Sequence, residues 1–169
     1  MNRITGYTYG KNDKGFAALR FVLKALSDDA FCHVLTHLCV RNGQFIATDG
    51  RRLHVAEAVE KHAAGLYAVL ANTAKLIVLS KCVDDLKFPN TEQAIPTSFD
   101  NSVNGESPEM IQHRMTKAGG GCLSHDYLAD AMPDKKEAAI VEFTDELSPV
   151  KIINGVGFAV LMPIRDPNI

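Results

Sequence analysis

Ala47-Thr48-Asp49-Gly50-Arg51-Arg52-Leu53 is the stretch on which the reading of this chain turns. Asp-Gly supplies the positive φ that a tight hairpin needs, so it splits the stretch into the end of one strand and the start of the next. A second hairpin signal, Asn42-Gly43, lies just before it. Residues 34–40, 44–48 and 53–59 therefore read as three strands in a meander.

The same reasoning works outward. Residues 4–9 alternate in β fashion and stop at Gly10, which gives a first strand. In residues 15–26, Phe16, Leu19, Val22, Leu23 and Leu26 recur at spacings of three and four, the apolar stripe of a helix that Ser27-Asp28-Asp29 ends. Residues 65–83 read as an apolar hairpin turning at Asn72-Thr73, with the start of a helix over 73–79 as the alternative. Ser124 is placed to cap a helix through residue 132, with Tyr127, Leu128 and Ala131 inward and Pro133 as its stop. Residues 139–144, 150–153 and 157–164 close the chain as strands. The order β-α-β-β-β thus occurs twice. Residues 84–122 carry Pro89, Pro96, Pro108 and the run Gly119-Gly120-Gly121, with one helix expected over 108–117, and read as an insertion or connector.

Composition narrows the function classes. The 169 residues suffice for one ordinary core. Four cysteines without a C-x-x-C pair fit reduced, mostly buried thiols in a cytosolic protein. The N-terminus shows no secretory pattern, and the longest apolar runs fall well short of the roughly 20 residues of a membrane span. A cytoplasmic location without membrane contact is expected. The net charge of −2 argues against a surface that grips nucleic acid throughout. Lys14, Arg20 and Lys24, read onto the first helix, offer at most a weak DNA-facing stripe.

Several constellations resemble catalytic or metal sites. His33, His37 and Cys39 would share a face of a strand, but a structural zinc site needs four ligands at characteristic spacings. Ser124-His125-Asp126 has the residue types of a triad, yet neighbours on a helix diverge by about 100° each and cannot converge. The triple glycine lacks the Gly-Lys-Ser/Thr ending of a phosphate-binding loop. No metal or cofactor is expected. The enzymatic alternative is a small metal-dependent hydrolase or nuclease using Asp49 with Asp84-Asp85, or with Glu142 and Asp145-Glu146.

Taken together, Ala47 to Leu53, Phe88-Pro89-Asn90, Leu123 to Leu128 and Met162-Pro163-Ile164-Arg165 resemble, in the same order, segments of the bacterial sliding clamp, the beta subunit of the replicative polymerase. Arg51 stands where that family has histidine, and Ile164 where it has methionine. The resemblance implies an α+β, DNA-clamp-like fold of two β-α-β-β-β motifs with antiparallel sheets. One domain over 1–169 is expected, with a first motif at 1–63, a second at 64–83 and 123–165, and the insertion between. It also implies a non-catalytic module of DNA replication or repair, whose apolar cleft takes the short Leu- and Phe-bearing tail of a polymerase or repair protein. Carried over by position, that peptide cleft comprises Thr48, Gly50, Arg51, Arg52 and Leu53, then Pro89 and Ala94, then Ser124 and Tyr127, then Val150, Val160, Met162, Pro163 and Arg165. Two motifs fall short of a whole clamp, so a monomer or dimer is expected rather than a closed ring.

Overall fold

Asn42 and Gly43 both adopt positive φ, 52° and 73°, and so join β2 (Leu38–Arg41) to β3 (Gln44–Thr48) by a two-residue turn of the primed type. The turn into β4 (Arg52–Glu57) is one residue longer. There Gly50 takes φ 89° and its N–H donates to Thr48 Oγ1 at 3.1 Å. The computed structural model describes residues 6–83 and 86–165. Within them the remaining elements are β1 (Gly6–Gly10), α1 (Phe16–Leu23), β5 (Gly65–Asn72), β6 (Leu76–Lys81), β7 (Asn101–Gly105), α2 (Pro108–Lys117), α3 (His125–Asp130), β8 (Ala139–Phe143), β9 (Val150–Ile153) and β10 (Phe158–Leu161).

The chain forms two compact units. The first holds the chain up to Gly50 together with His54–Pro89; the second holds Arg51–Leu53 and everything from Asn90. Sequence places the division between motifs at residue 63, whereas the two compact units divide after Pro89, with Arg51 and the first two residues of β4, Arg52 and Leu53, in the second unit.

In the first unit the strands neighbour one another in the order β1-β6-β5-β2-β3-β4, and the pairs β1–β6, β6–β5, β5–β2 and β2–β3 are antiparallel. Phe16, Leu19, Val22 and Leu23 put the apolar stripe of α1 into the core against β3, as their spacing requires. His54 is a core histidine: its Nδ1–H donates to the Phe21 carbonyl at 2.8 Å, and its ring stacks on Phe21 at 4.5 Å. The Tyr9 hydroxyl pairs with His62 Nε2, and burial pushes the phenols of Tyr9 and Tyr67 up to about 12, so both stay neutral.

Residues 34–36, expected as strand, instead belong to a 3-10 helix, Ala30–Thr36, which Asp29 starts by accepting the Phe31 N–H. Local side-chain capping outweighs the β propensity of Val34 here. The change removes the strand face on which His33, His37 and Cys39 would meet. His37 Nδ1–H donates to the His33 carbonyl and the two rings pack 4.8 Å apart.

The second unit runs β10-β9-β8-β7, antiparallel throughout. Residues 84–122, expected as a surface excursion, supply its edge strand and its longest helix. β7 pairs along its whole length with β8, and Ile111 and Met115 of α2 are fully buried. Polar composition concealed this, since α2 buries only one narrow side and Ser107 caps it from outside. The triple glycine is no flexible connector either. Gly119 at φ 83° closes α2 with paired bonds, its own N–H to Thr116 O and that of Gly120 to Met115 O, a Schellman ending. Gly121 is buried where a Cβ would overlap the Glu146 carbonyl and press on Pro163 Cβ at 3.0 Å.

All four cysteines are free thiols, and against expectation only Cys39 is buried; Cys32 and Cys122 are exposed. No helix among the described residues is long and apolar enough to cross a membrane. Urea unfolding should separate the glycines. Gly119→Ala, with open space around it, should lose about 1 kcal/mol from left-handed strain alone, and Gly121→Ala about 3 kcal/mol, because backbone rather than a side-chain tip must yield.

Candidate peptide-binding cleft

Three stretches distant in sequence meet in the second unit. After β10 the chain stays extended, and two backbone bonds hold it: Met162 N–H to Arg51 O at 3.0 Å, and Ile164 N–H to Cys122 O at 2.8 Å. Pro163 lies between them, where its missing N–H costs nothing. Immediately after Cys122 and Leu123, the Ser124 hydroxyl caps α3 by accepting the Tyr127 N–H at 3.4 Å, so Tyr127 stands one turn into the helix.

Arg51, Ser124, Tyr127, Met162, Pro163, Ile164 and Arg165 line a cavity of about 660 Å³ there. Met162 and Ile164 are half exposed and supply a soft apolar surface; Arg51 and Arg165 supply two cations, and among the described residues no carboxylate is in the lining. Such a cavity, apolar with a few charged groups, suits an apolar side chain followed by a carbonyl or carboxylate.

Six of the residues named from sequence are therefore brought together: Arg51, Ser124, Tyr127, Met162, Pro163 and Arg165. The others have different places. Leu53, Val150 and Val160 are buried in strands, at 4%, 0% and 4% exposure, so they support the cleft from within the core. Thr48 and Gly50 form the β3–β4 turn of the first unit, Pro89 ends that unit as an exposed residue, and Ala94 is exposed in the 3-10 turn Glu92–Ala94. Ile164 was missed. Its signal was the alternation of an extended segment, which puts residues 162 and 164 on one side.

Arg52 differs most from its expected place in the lining of the cleft. Its side chain is only 11% exposed, its Nη1 meets Asp130 Oδ2 at 2.7 Å, and its guanidinium carbon lies 4.1 Å from the centre of the Tyr127 ring.

The cations read onto the first helix are likewise dispersed. α1 begins at Phe16, so Lys14 precedes it, and Lys24 caps its end; Arg20, on the helix, donates to Asn72 Oδ1 at 3.2 Å and to Thr73 O at 2.8 Å in the β5–β6 turn. Among the carboxylates of the enzymatic alternative, Asp84 and Asp85 lie outside the described residues. Asp145 caps its own turn by accepting the Leu147 and Ser148 N–H groups, which lowers its pKa. Among the described residues no three His, Cys, Asp or Glu side chains cluster as metal ligands.

With this geometry in hand, solved structures identify the architecture. The DNA polymerase III beta subunit of Thermotoga maritima matches with a TM-score of 0.65 at 14% identity, over 98% of this chain and 66% of that one. The DNA polymerase III subunit beta of Bartonella birtlesii, bound to griselimycin, gives 0.67 at 14%, over 98% and 68%. The sliding clamp of Pseudomonas aeruginosa with ligand gives 0.64 at 16%, over 95% and 66%. The chain has the bacterial sliding-clamp fold. It spans about two thirds of the length of the clamps it matches. No protein-family model and no curated protein matches the sequence. The clamp fold is thus kept with little of the clamps' sequence.

Beside the cleft, α3 is tied to α2 by His125 Nε2 and Glu109 Oε1 at 2.9 Å, both exposed. The bond to Glu109 raises the His125 pKa, and the bond to His125 lowers that of Glu109. The raised histidine favours the folded state below its ordinary 6.5 and loses that effect as pH rises through the raised value. The lowered carboxylate contributes above its ordinary 4.5 and loses its effect as pH falls through the lowered value. The tie is thus strongest in mildly acidic solution. In an NMR titration His125 should show a pKa above 6.5 that returns toward that value in Glu109→Gln.

Proposed function

We propose that this chain is a non-catalytic, clamp-like interaction module of DNA replication or repair that binds a short linear peptide in the cleft of its second unit. The observation that carries the reading is the convergence of Arg51, Tyr127 and Met162–Arg165 on one cavity. Three sequence-distant segments that resemble the clamp family's pocket walls form a single lined space. The clamp fold supports it.

A cleft that takes two anchor side chains should bind in the micromolar range, on the order of −7 to −8 kcal/mol after association costs. Fluorescence polarisation with a labelled Gln-Leu-x-Leu-Phe peptide tests this; a folded protein that leaves the peptide free at high micromolar concentration sinks the proposal. Met162→Asp is the informative variant. Met162 is 48% exposed, so the charge should leave folding intact and remove binding by desolvation against the ligand. Leu53→Asp would bury a charge at a site 4% exposed and should unfold the protein before it reports on binding.

The net charge of −2 and the dispersed cations favour a module that contacts DNA weakly. Light scattering should give a monomer or dimer. A hexamer with salt-sensitive retention on circular DNA would instead support a closed, processive ring.

A further inference from the structure

Asp130 is the last residue of α3, next to carbonyls that carry the negative end of the helix, an electrostatically poor place for a carboxylate. What it gains there is Arg52, whose Nη1 lies 2.7 Å away. Arg52 in turn sets its guanidinium over Tyr127, 4.1 Å from the ring centre, and Tyr127 lines the cleft. Carboxylate, guanidinium and ring form a chain that ends at the ligand surface, with the middle member only 11% exposed.

We propose that Asp130 is a positioning residue of the peptide cleft: it fixes the Arg52 guanidinium, and the guanidinium holds the Tyr127 ring as a wall against which the ligand packs. The proposal rests on the peptide-binding reading and reassigns Arg52 from ligand contact to support. The physical reason is directional. A charge-assisted bond from Nη1 to the carboxylate restrains the cation, and a planar cation covers an aromatic face in a way that a lysine ammonium does not reproduce. Without Asp130, the guanidinium loses the carboxylate bond at 2.7 Å that holds it over the ring, and the ring loses the cover that sets its rotamer.

Peptide affinity should therefore fall about 5- to 10-fold in Asp130→Asn, the range that a partly desolvated cation–π contact commands. Arg52→Lys should lose as much although it keeps the charge. Asp130→Glu should recover most of the affinity. The decisive comparison places Asp130→Asn in a Tyr127→Ala background, where it should cost nothing more; an equal loss in both backgrounds overturns the proposal. NMR supplies a readout independent of the peptide. Arg52 side-chain N–H and Tyr127 ring signals, shifted by mutual stacking in the parent, should move to free-solution positions in Asp130→Asn. Unchanged signals overturn the positioning role. If the parent protein does not bind the peptide while these signals do shift, the peptide reading has failed and the positioning of Tyr127 stands.

Discussion

Two backbone hydrogen bonds set the geometry on which the cleft depends. Met162 N–H on Arg51 O and Ile164 N–H on Cys122 O seat the post-β10 segment against two stretches that sequence separates by some 70 residues. Each bond removes a donor that water would otherwise satisfy, so each fixes position more than it adds stability. Position is what the site needs. A segment free to shift by one residue would turn Met162 and Ile164 to the other side and carry Arg165 away from Arg51. Gly121 belongs to the same constraint: only a residue without a Cβ lets the chain pass between the Glu146 carbonyl and Pro163 on its way to Cys122.

Around that seat, the polar groups divide by burial. Arg51 and Arg165 are exposed and keep their charges at the surface of the cleft, whereas Arg52, one residue along β4, turns inward. Strand alternation alone sends neighbours to opposite sides. The consequence is chemical: two adjacent arginines have unlike settings, one exposed in the lining of the cavity, the other paired with Asp130 and Tyr127. A guanidinium so little exposed is costly to desolvate, and the bond to Asp130 offsets part of that cost.

Much of this was legible in sequence because its signals are local. Asn42-Gly43 and Asp49-Gly50 mark their turns through the φ that the glycines adopt, and the stripe of α1 and the Ser124 cap are equally local rules. What escaped reading depended on partners far along the chain. β7 (Asn-Ser-Val-Asn-Gly) has almost no apolar alternation and is a strand because β8 is there to pair with it. Residues 34–36 failed in the opposite direction, a β-like composition overruled by an Asp29 cap. In the cleft, the motif residues were legible and their supports were not. Nothing in the sequence joins Asp130 to Arg52, since the pair is created where the end of α3 meets the stretch Arg51–Leu53 within the second unit.

That contrast explains how a clamp fold persists at about one residue in seven identical. The fold asks only for apolar side chains at buried positions and for glycine or a cap at a few turns, requirements that many sequences meet. The lining of the cleft asks for more, but at exposed positions whose replacement leaves the core untouched: Arg51 and Ile164, the two departures from the family's motifs, are both exposed. Support and contact are therefore separable. Leu53, Val150 and Val160 are buried and Arg52 is paired with Asp130, while Arg51, Met162, Ile164 and Arg165 line the cavity at exposed positions. Change confined to the second set alters the lining of the cavity without altering the scaffold beneath it, and Arg51 and Ile164 both fall in that set.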